Sequence, residues 1–452
     1  MELRASSSRA YEITLIEAQP RLGGVIDTIA RDGFLCEGGP DAFLSQPPEA
    51  AALCRRLGLG DELIGTQDAQ RRSFIAWRGR LLPVPEGWQL IAPATAGALW
   101  RAPWLSWRGK LRMACEPLIP ARRDDDDESV AAFIRRRCGR EALERVGQPM
   151  VGGIYTADLE RLSLQAALPR WREMERRNGS LLRGVRAQRS ADPADAEASS
   201  GPRYNLFSTL RGGMATLIEA LSRRLAGGAT IRRDAETVVA TPGRPCTIRL
   251  ASGEALSADA CCLAVPAPRA AALVRAVAPD VAEELTKIPY EPVATVHVAV
   301  RREDVGHPLD GFGFVMPLSE RESIVGCTFA STKFAGRAPK DCALLRVFIG
   351  GALQRELVAL DDRQLERLAL DVLGRILGLR ATPLWVSVHR LREAMPQYHV
   401  GHLDRVDTIE RRTRSMPGLY LTGNAYRGLG LPDCIRQAEA TAQQIVQDLS
   451  TN

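Results

Sequence analysis

The chain has 452 residues, which is enough for roughly two or three domains with a large core. Its 60 basic and 54 acidic residues leave a formal net charge of +6, and the basic residues are scattered along the chain. This composition predicts an ordinary globular protein and argues against a nucleic-acid-binding surface. The small positive excess favours anionic substrates or anionic lipid.

Cysteine and histidine usage argues against two further classes, disulfide-stabilised proteins and metalloproteins. None of the ten cysteines forms a C-x-x-C pair, and the five histidines have no metal-ligand spacing. We therefore expect free thiols in a reducing compartment and no metal site. No run of about 18 apolar residues is present to span a membrane. The first ten residues lack the apolar core of a signal peptide, so the sequence predicts a cytoplasmic protein.

The first predicted element is an apolar strand over residues 11–16 that ends at the acidic residue Glu17. A turn with Arg21 and the pair Gly23 and Gly24 follows it. Glycines let a backbone approach a phosphate closely, and arginine supplies positive charge. In a dinucleotide-binding βαβ unit, an acidic residue at such a strand end binds ribose hydroxyls.

In such a unit the glycine-rich phosphate loop lies about 20 residues before the acidic residue. Counting back from Glu17 reaches the start of the chain, and residues 1–16 contain no glycine. The spacing therefore predicts that the first strand and the glycine loop precede residue 1. We accordingly expect residues 1–452 alone to bind a dinucleotide weakly or not at all.

Four tryptophans follow a hairpin predicted over residues 74–85. Trp88, Trp100, Trp104 and Trp107 are interleaved with prolines and basic residues. Tryptophan beside basic residues is typical of a membrane interface. An ordinary core or a pocket wall accounts for the same pattern, and both interpretations stay open.

Residues 184–203 are rich in Ala, Ser, Asp and Pro and are predicted to form a disordered loop. A helix is expected over 212–226 and a long helix over 354–378, with strands at 293–301 and 343–350. The last segment, 418–449, is predicted as a strand, a glycine-rich turn and a helix. Its turn would direct backbone N–H groups at one place, which suits the negative charge of a reduced flavin.

Two more pieces precede that segment. CEGGPDAF, residues 36–43, predicts a tight turn, and DACCLAVPAP, residues 259–268, predicts a strand that ends at a small-residue turn. Val238 lies in a nearby strand that could place its backbone against an adenine ring. Each piece alone is an ordinary turn or strand.

The four pieces together, in this order, resemble the protoporphyrinogen and coproporphyrinogen oxidases, which are FAD-dependent, amine-oxidase-like flavoproteins. Further matches are PMVGGIYTADLERLSLQAALPR (149–170), LRGGMATLIEAL (210–221) and REAMPQYHVGH (392–402). The resemblance runs from about Tyr11 to the C-terminus. It implies an α/β fold in which a Rossmann-like FAD-binding domain is joined to a mixed-sheet substrate domain and a helical domain.

The resemblance implies a discontinuous domain organisation. The FAD-binding domain would comprise residues 1–70, 206–265 and 385–452. The substrate domain would comprise 71–85, 171–205 and 266–384, and the helical, membrane-associated domain 86–170.

The resemblance also implies roles for individual residues. Glu17 would bind the adenosine ribose and Val238 the adenine. The remaining expected FAD contacts are Arg21, Gly23, Gly24 and Thr28 along the pyrophosphate and flavin, Gly39, Pro40 and Asp41 beside the isoalloxazine, and Gly423, Asn424, Gly430, Leu431 and Pro432 at the carboxyl-terminal helix.

In the substrate cavity, Gly311, Phe312 and Phe334 match positions that wall the tetrapyrrole. The family often has an arginine before an aromatic residue to bind a propionate, but this chain has Ser73 at that place. Its neighbour Arg72 is therefore the expected anchor. No catalytic acid or base is identified.

The implied reaction is the stepwise dehydrogenation of a porphyrinogen to the porphyrin in haem biosynthesis, with FAD accepting hydride and molecular oxygen reoxidising it. The sequence does not distinguish coproporphyrinogen from protoporphyrinogen. Two alternatives stay open: another flavin amine oxidase or desaturase with an apolar substrate, and a non-catalytic porphyrin-binding remnant without FAD. The absent glycine loop motivates the second.

Overall fold

A computed structural model describes residues 11–67, 72–191 and 207–450. Its strands, in chain order, are β1 (Thr14–Ile16), β2 (Thr28–Arg31), β3 (Phe34–Glu37), β4 (Phe43–Leu44), β5 (Leu63–Gly65), β6 (Phe74–Trp77), β7 (Arg80–Pro83), β8 (Trp88–Gln89), β9 (Ala92–Pro93), β10 (Phe207–Leu210), β11 (Thr230–Arg232), β12 (Thr237–Thr241), β13 (Cys246–Leu250), β14 (Ala255–Ala258), β15 (Cys261–Leu263), β16 (Tyr290–Arg301), β17 (Gly313–Val315), β18 (Gly326–Phe329), β19 (Cys342–Gly350), β20 (Trp385–Pro396) and β21 (Leu419–Leu421).

The α-helices, in chain order, are α1 (Glu49–Arg56), α2 (Ala96–Arg101), α3 (Trp107–Ala114), α4 (Val130–Arg137), α5 (Arg140–Ala142), α6 (Gly153–Tyr155), α7 (Leu164–Ala167), α8 (Pro169–Asn178), α9 (Leu181–Ala191), α10 (Ala215–Ala226), α11 (Ala267–Val274), α12 (Pro279–Thr286), α13 (Ala330–Lys333), α14 (Asp362–Leu377), α15 (His402–Arg414) and α16 (Leu431–Ser450). A π-helical segment, Leu143–Gly152, joins α5 to α6 and contains Pro149.

The largest layer is a seven-stranded sheet with the order β20-β16-β19-β18-β17-β6-β7. All neighbours are antiparallel except β17 and β6. Val296 and Val347 point from one face into a core that α14 covers with Leu365 and Leu373. Because side chains alternate along a strand, the intervening residues of β16 and β19 face the other way. That second face carries the buried polar residues Thr295, His297 and Arg346 beside a small apolar cluster that includes Ala299 and Leu344.

The Rossmann-like part contains two separate parallel pairs, β1 with β11 and β15 with β21. Within the part of the chain that the structure describes, each of these strands has a single partner. The predicted strand at 11–16 is confirmed as β1 over its last three residues. The Glu17 amide continues the β1 pairing by donating to the Arg232 carbonyl at 2.9 Å.

The helical region has its own apolar core, which includes Trp88, Trp104 and Phe133. Trp171 of α8 and Val185 of α9 pack into the same core, so this core extends beyond residue 170. Similarly, β20 makes the seven-stranded sheet continue past the predicted boundary at residue 384.

The predicted loop 184–203 is wrong in its first part. Helix α9 continues to Ala191. Val185 anchors it because this side chain is buried. The rest of that prediction, residues 192–203, lies outside the described residues.

Residues 11–67, 72–191 and 207–450 contain neither a candidate membrane span nor a candidate metal cluster. No helix among them is long and apolar enough to cross a membrane. No group of three or more His, Cys, Asp or Glu side chains among them could hold a metal ion.

Candidate active site

The first glycine turn is closed by its own arginine. The Arg21 guanidinium donates to the carbonyls of Ile26 at 3.0 Å and Gly24 at 2.6 Å. Gly23 and Gly24 have φ values of +109° and +56°, a conformation that side chains strongly disfavour. Arg21 therefore shapes the turn with the same donors that were predicted to meet a phosphate. Glu17 accepts a hydrogen bond from the Gln19 amide at 2.8 Å.

Thr28 contacts the start of helix α10. Its hydroxyl donates to Glu37 at 2.7 Å and accepts from the Ala215 amide at 2.9 Å, while Glu37 accepts from the Met214 amide at 2.9 Å. Burial raises the pKa of Glu37, and the hydrogen bond from Thr28 opposes that shift. The predicted cofactor residue Thr28 is thus held against a helix N-terminus by a buried carboxyl group.

The turn at Gly39, Pro40 and Asp41 lies against the face of the seven-stranded sheet that carries Arg346. Arg346 of β19 is buried and donates to the carbonyls of Gly38 and Gly39. A β-carbon at Gly39 would lie only 1.8 Å from the Val25 carbonyl oxygen, so this position requires glycine.

His297 on β16 supports the strand before that turn. Its Nε2 atom lies 3.1 Å from the Glu37 carbonyl oxygen. Burial and then the nearby Arg346 charge lower the pKa of His297 to about 3, so the imidazole is neutral at physiological pH. A neutral ring donates through Nε2 to the carbonyl.

Lys333 joins the proposed flavin turn to the proposed substrate wall. Its ammonium group lies 2.8 Å from a carboxylate oxygen of Asp41 and 5.0 Å from the ring centre of Phe334. Burial alone would raise the pKa of Asp41, but the charges of Lys333 and Arg346 outweigh it and hold this pKa below its usual value. The Asp41 side chain is therefore a carboxylate fixed by a partly buried cation.

The other proposed substrate residues meet at one end of the same sheet. The Phe312 amide donates to the Arg72 carbonyl at 2.7 Å. A β-carbon at Gly311 would lie 2.5 Å from the Phe74 ring, so glycine permits the close approach. The Arg72 guanidinium is 64% exposed and pairs with Asp310 at 2.8 Å.

The carboxyl-terminal turn, residues 423–430, precedes helix α16. Tyr398 donates to the Asn424 carbonyl at 2.7 Å, and the Gly428 amide donates to the Tyr398 hydroxyl at 2.9 Å. Gly423 and Gly428 have φ values of +129° and +128°. This turn therefore has a defined shape that depends on glycine and on a distant tyrosine.

One small core brings three of the four motifs together. Four apolar residues pack in the same cluster. Ile26 follows the first glycine turn, and Phe43 follows the Asp41 turn. Leu431 and Ile435 lie in the first turns of α16. The predicted adenine contact, Val238, lies apart from this cluster, exposed beside a bulge in β12. The structure thus brings segments of three motifs together, whereas Val238 is not part of this cluster.

The residues present fit a flavin. A β-carbon added at Gly24 or at Gly423 would meet no protein atom within 4 Å, so both glycines border open space. The hydroxyl groups of Thr422 and Tyr426 are buried and have no hydrogen-bond partner in the described part of the chain. Buried polar groups of this kind normally have partners, which a bound cofactor can supply.

Sequence reasoning missed the residues that hold the turns: Glu37, Lys333, Arg346, Tyr398 and His402. Lys333 precedes the predicted substrate residue Phe334, and Tyr398 lies within REAMPQYHVGH, one of the stretches that carried the resemblance. Their contacts lie 292 and 26 residues away in sequence, so only the fold shows what they touch.

A sequence model of the family described as flavin containing amine oxidoreductase matches residues 3–446. The chain belongs to this family. Coproporphyrinogen III oxidase of Bacillus subtilis is 31% identical over 430 residues, covering 95% of this chain and 90% of that protein. The protein of the same name from Propionibacterium freudenreichii is 34% identical over 467 residues, covering 97% and 87%. A crystal structure from Exiguobacterium is 29% identical, with a TM-score of 0.85, and the match covers 97% of this chain and 93% of that one.

The predicted family, the α/β fold and the flavin cofactor are confirmed by these matches. The chain is a flavin-dependent oxidoreductase of this family. The roles assigned to individual residues stay predictions.

Proposed function

We propose that this chain oxidises a porphyrinogen to the porphyrin in haem biosynthesis and that coproporphyrinogen III is its preferred substrate. Two relatives named for that substrate, at 31% and 34% identity, support the choice. The observation that carries the proposal is the position of Lys333. It binds Asp41 of the proposed flavin turn and borders Phe334 of the proposed cavity wall, so cofactor and substrate residues share one place.

When bound, FAD supplies the hydride acceptor. The proposed contacts are Glu17 on the ribose, the turn at Gly39–Asp41 and the turn at 423–430. Arg346 and Lys333 keep the Gly39–Asp41 turn rigid against the sheet, which orients whatever binds there. Phe312 and Phe334 would exclude water from an apolar macrocycle. Molecular oxygen is the proposed final electron acceptor.

The proposal is tested by supplying the purified chain with FAD and oxygen and offering either coproporphyrinogen III or protoporphyrinogen IX. Porphyrin fluorescence should rise above the rate of spontaneous oxidation, and it should rise faster with coproporphyrinogen. Oxidation of benzylamine-like amines without oxidation of either porphyrinogen would favour the amine oxidase alternative. Porphyrin binding without flavin or turnover would favour the non-catalytic alternative.

Arg72 is the proposed carboxylate anchor. Replacing Arg72 with alanine should raise KM for the porphyrinogen about tenfold, because one charge-assisted hydrogen bond is worth roughly 1.5–3 kcal/mol. Steady-state kinetics measure this change. Arg80→Ala removes an exposed arginine from the adjacent β6–β7 hairpin and should leave KM unaltered. A KM within twofold of the wild type in Arg72→Ala would exclude Arg72 as the anchor.

We propose, secondly, that the helical region contacts anionic lipid. Of its tryptophans, Trp88 and Trp104 belong to the core, but Trp100 and Trp107 are 54% and 66% exposed. Lys110 and Arg108 flank them, and the Arg108 guanidinium lies 5.3 Å from the Trp107 ring centre. Exposed aromatic rings beside cations are suited to the headgroup boundary of a membrane.

The double variant Trp100→Ser/Trp107→Ser should lose at least about tenfold in partitioning to vesicles that contain phosphatidylserine, because two interfacial anchors are removed. Vesicle co-sedimentation measures the partitioning. Leu384→Ser, which removes an exposed apolar side chain from another part of the molecule, is the control. Equal sedimentation of both variants and the wild type would contradict the proposed contact.

A further inference from the structure

Tyr398 connects the two ends of the carboxyl-terminal turn through a single atom. Its hydroxyl oxygen donates a hydrogen bond to the Asn424 carbonyl at 2.7 Å and accepts one from the Gly428 amide at 2.9 Å. The side chain is buried, and burial raises its pKa, so the hydroxyl remains protonated and able to donate. One hydroxyl therefore satisfies a backbone acceptor and a backbone donor four residues apart.

A second contact fixes the same turn beside the first. The Tyr398 ring stacks on His402, with ring centres 3.8 Å apart and planes inclined by 14°. His402 is buried, and its Nε2 atom lies 2.9 Å from the Tyr426 carbonyl oxygen. Burial lowers the pKa of His402 to about 4, so the neutral ring carries its proton on Nε2 and donates it to that carbonyl.

The backbone of the same segment is fastened to the helical region. The Ser163 amide donates to the Tyr398 carbonyl at 2.7 Å, and the Val400 amide donates to the Arg161 carbonyl at 3.0 Å. The Gly401 amide donates to Asp127 at 3.1 Å. Residues 397–402 thus lie between the helical region and the carboxyl-terminal turn and contact both.

We infer that Tyr398 is a positioning residue, which holds the 423–430 turn in the shape that closes over the flavin and ties that turn to the helical region. The inference rests on the proposed role of this turn. Gly423 borders open space, whereas Tyr398 supports the turn through Asn424 and Gly428. Tyr398 therefore acts through the backbone of the turn, without being assigned a contact to the cofactor.

The first test uses Tyr398→Phe and no cofactor. Phenylalanine keeps the stacking on His402 and removes only the hydroxyl. Hydrogen–deuterium exchange of the peptide that contains residues 423–430 should become at least about tenfold faster, because the Gly428 amide loses its buried partner. Tyr155→Phe is the matched control, since the Tyr155 hydroxyl donates at 2.9 Å to the Ala167 carbonyl, away from the turn. It should leave that peptide's exchange unchanged.

The second test measures FAD affinity by flavin fluorescence with the same variants. Tyr398→Phe should bind FAD about tenfold or more weakly than the wild type, and Tyr155→Phe should bind it equally well. Faster exchange with unchanged FAD affinity would show that Tyr398 holds the turn but that the turn does not hold the flavin, which overturns the proposed site. Unchanged exchange would overturn the inference itself.

A measurement on the wild-type chain covers the case in which Tyr398→Phe does not fold. Hydrogen–deuterium exchange of the wild type, measured at single-residue resolution, should show the Gly428 amide exchanging slowly, as a hydrogen-bonded amide does. Exchange at the rate of an unstructured amide would overturn the inference without any variant.

Discussion

Gly39→Ala should abolish flavin binding and destabilise the protein. The new β-carbon would lie 1.8 Å from the Val25 carbonyl oxygen and 2.8 Å from its carbonyl carbon. Both atoms belong to the backbone, so no side-chain rotation can relieve the overlap. We expect the free energy of unfolding to fall by about 3 kcal/mol or more, the upper end for overpacking. Denaturant unfolding and flavin fluorescence measure the two effects.

Gly65→Ala is the matched control for this prediction. A β-carbon at Gly65 would meet no atom within 4 Å, so the same substitution should be nearly neutral there. If Gly39→Ala bound flavin and unfolded like Gly65→Ala, the turn at residues 39–41 would be free to move away from Val25. Its assigned place against the sheet would then be wrong.

Arg137→Met should destabilise the helical region strongly. The Arg137 guanidinium and the Glu116 carboxylate are both fully buried and paired with each other. Arg137 also lies 3.3 Å from Glu175 and donates to the Ile119 carbonyl at 2.9 Å. Removing the arginine leaves a buried carboxylate without its main partner, which costs about 3–5 kcal/mol. The free energy of unfolding measures the loss.

The double variant Arg137→Met/Glu116→Gln separates charge from packing. Glu116 accepts hydrogen bonds from the amides of Leu181 at 2.9 Å and Leu182 at 3.2 Å at the start of α9. A glutamine keeps an acceptor oxygen for one of those two amides and removes the buried charge. The double variant should therefore be more stable than Arg137→Met. If the double variant were no more stable than Arg137→Met, Arg137 would stabilise the protein by its packing and not by its ion pair with Glu116.

Neighbouring residues in the sequence were enough to predict the segments whose structure is set by turns and helix starts. The strand, glycine turn and helix expected at 418–449 are confirmed as β21 (Leu419–Leu421), the 423–430 turn and α16 (Leu431–Ser450). Glycine and proline mark where a chain can turn and where a helix can begin, so such a segment is readable from a few neighbouring residues.

Residues with distant partners could not be predicted in this way. Arg346, Lys333 and Tyr398 contact backbone or carboxylate groups on other elements, and nothing beside them in the sequence identifies those partners. Residues 184–191 have a loop-like composition, yet they continue a helix because Val185 and its neighbours Leu181 and Leu182 pack in the helical core. Tertiary packing overrode local preference there.

In the tryptophan-rich segment, too, tertiary packing could not be predicted from neighbouring residues. Trp88 and Trp104 pack together in the core, with ring centres 5.8 Å apart, whereas Trp100 and Trp107 face outward. The segment contains short strands and short helices, so no single periodicity assigns its faces. The core interpretation is confirmed for Trp88 and Trp104, and the membrane interpretation stays a prediction for Trp100 and Trp107.

The topology of the seven-stranded sheet delays part of the folding of this chain during its synthesis. Strand β6 pairs in parallel with β17, with Phe74 opposite Phe314, a separation of 240 residues. At about 5–20 residues per second, ribosomal synthesis takes on the order of 10–50 s to bridge that interval. Throughout this time the β6–β7 hairpin lacks its partner, and its apolar residues Phe74 and Ile75 have no sheet to cover them. A chaperone present during synthesis should therefore increase the yield of folded protein more than a chaperone added after the chain has left the ribosome.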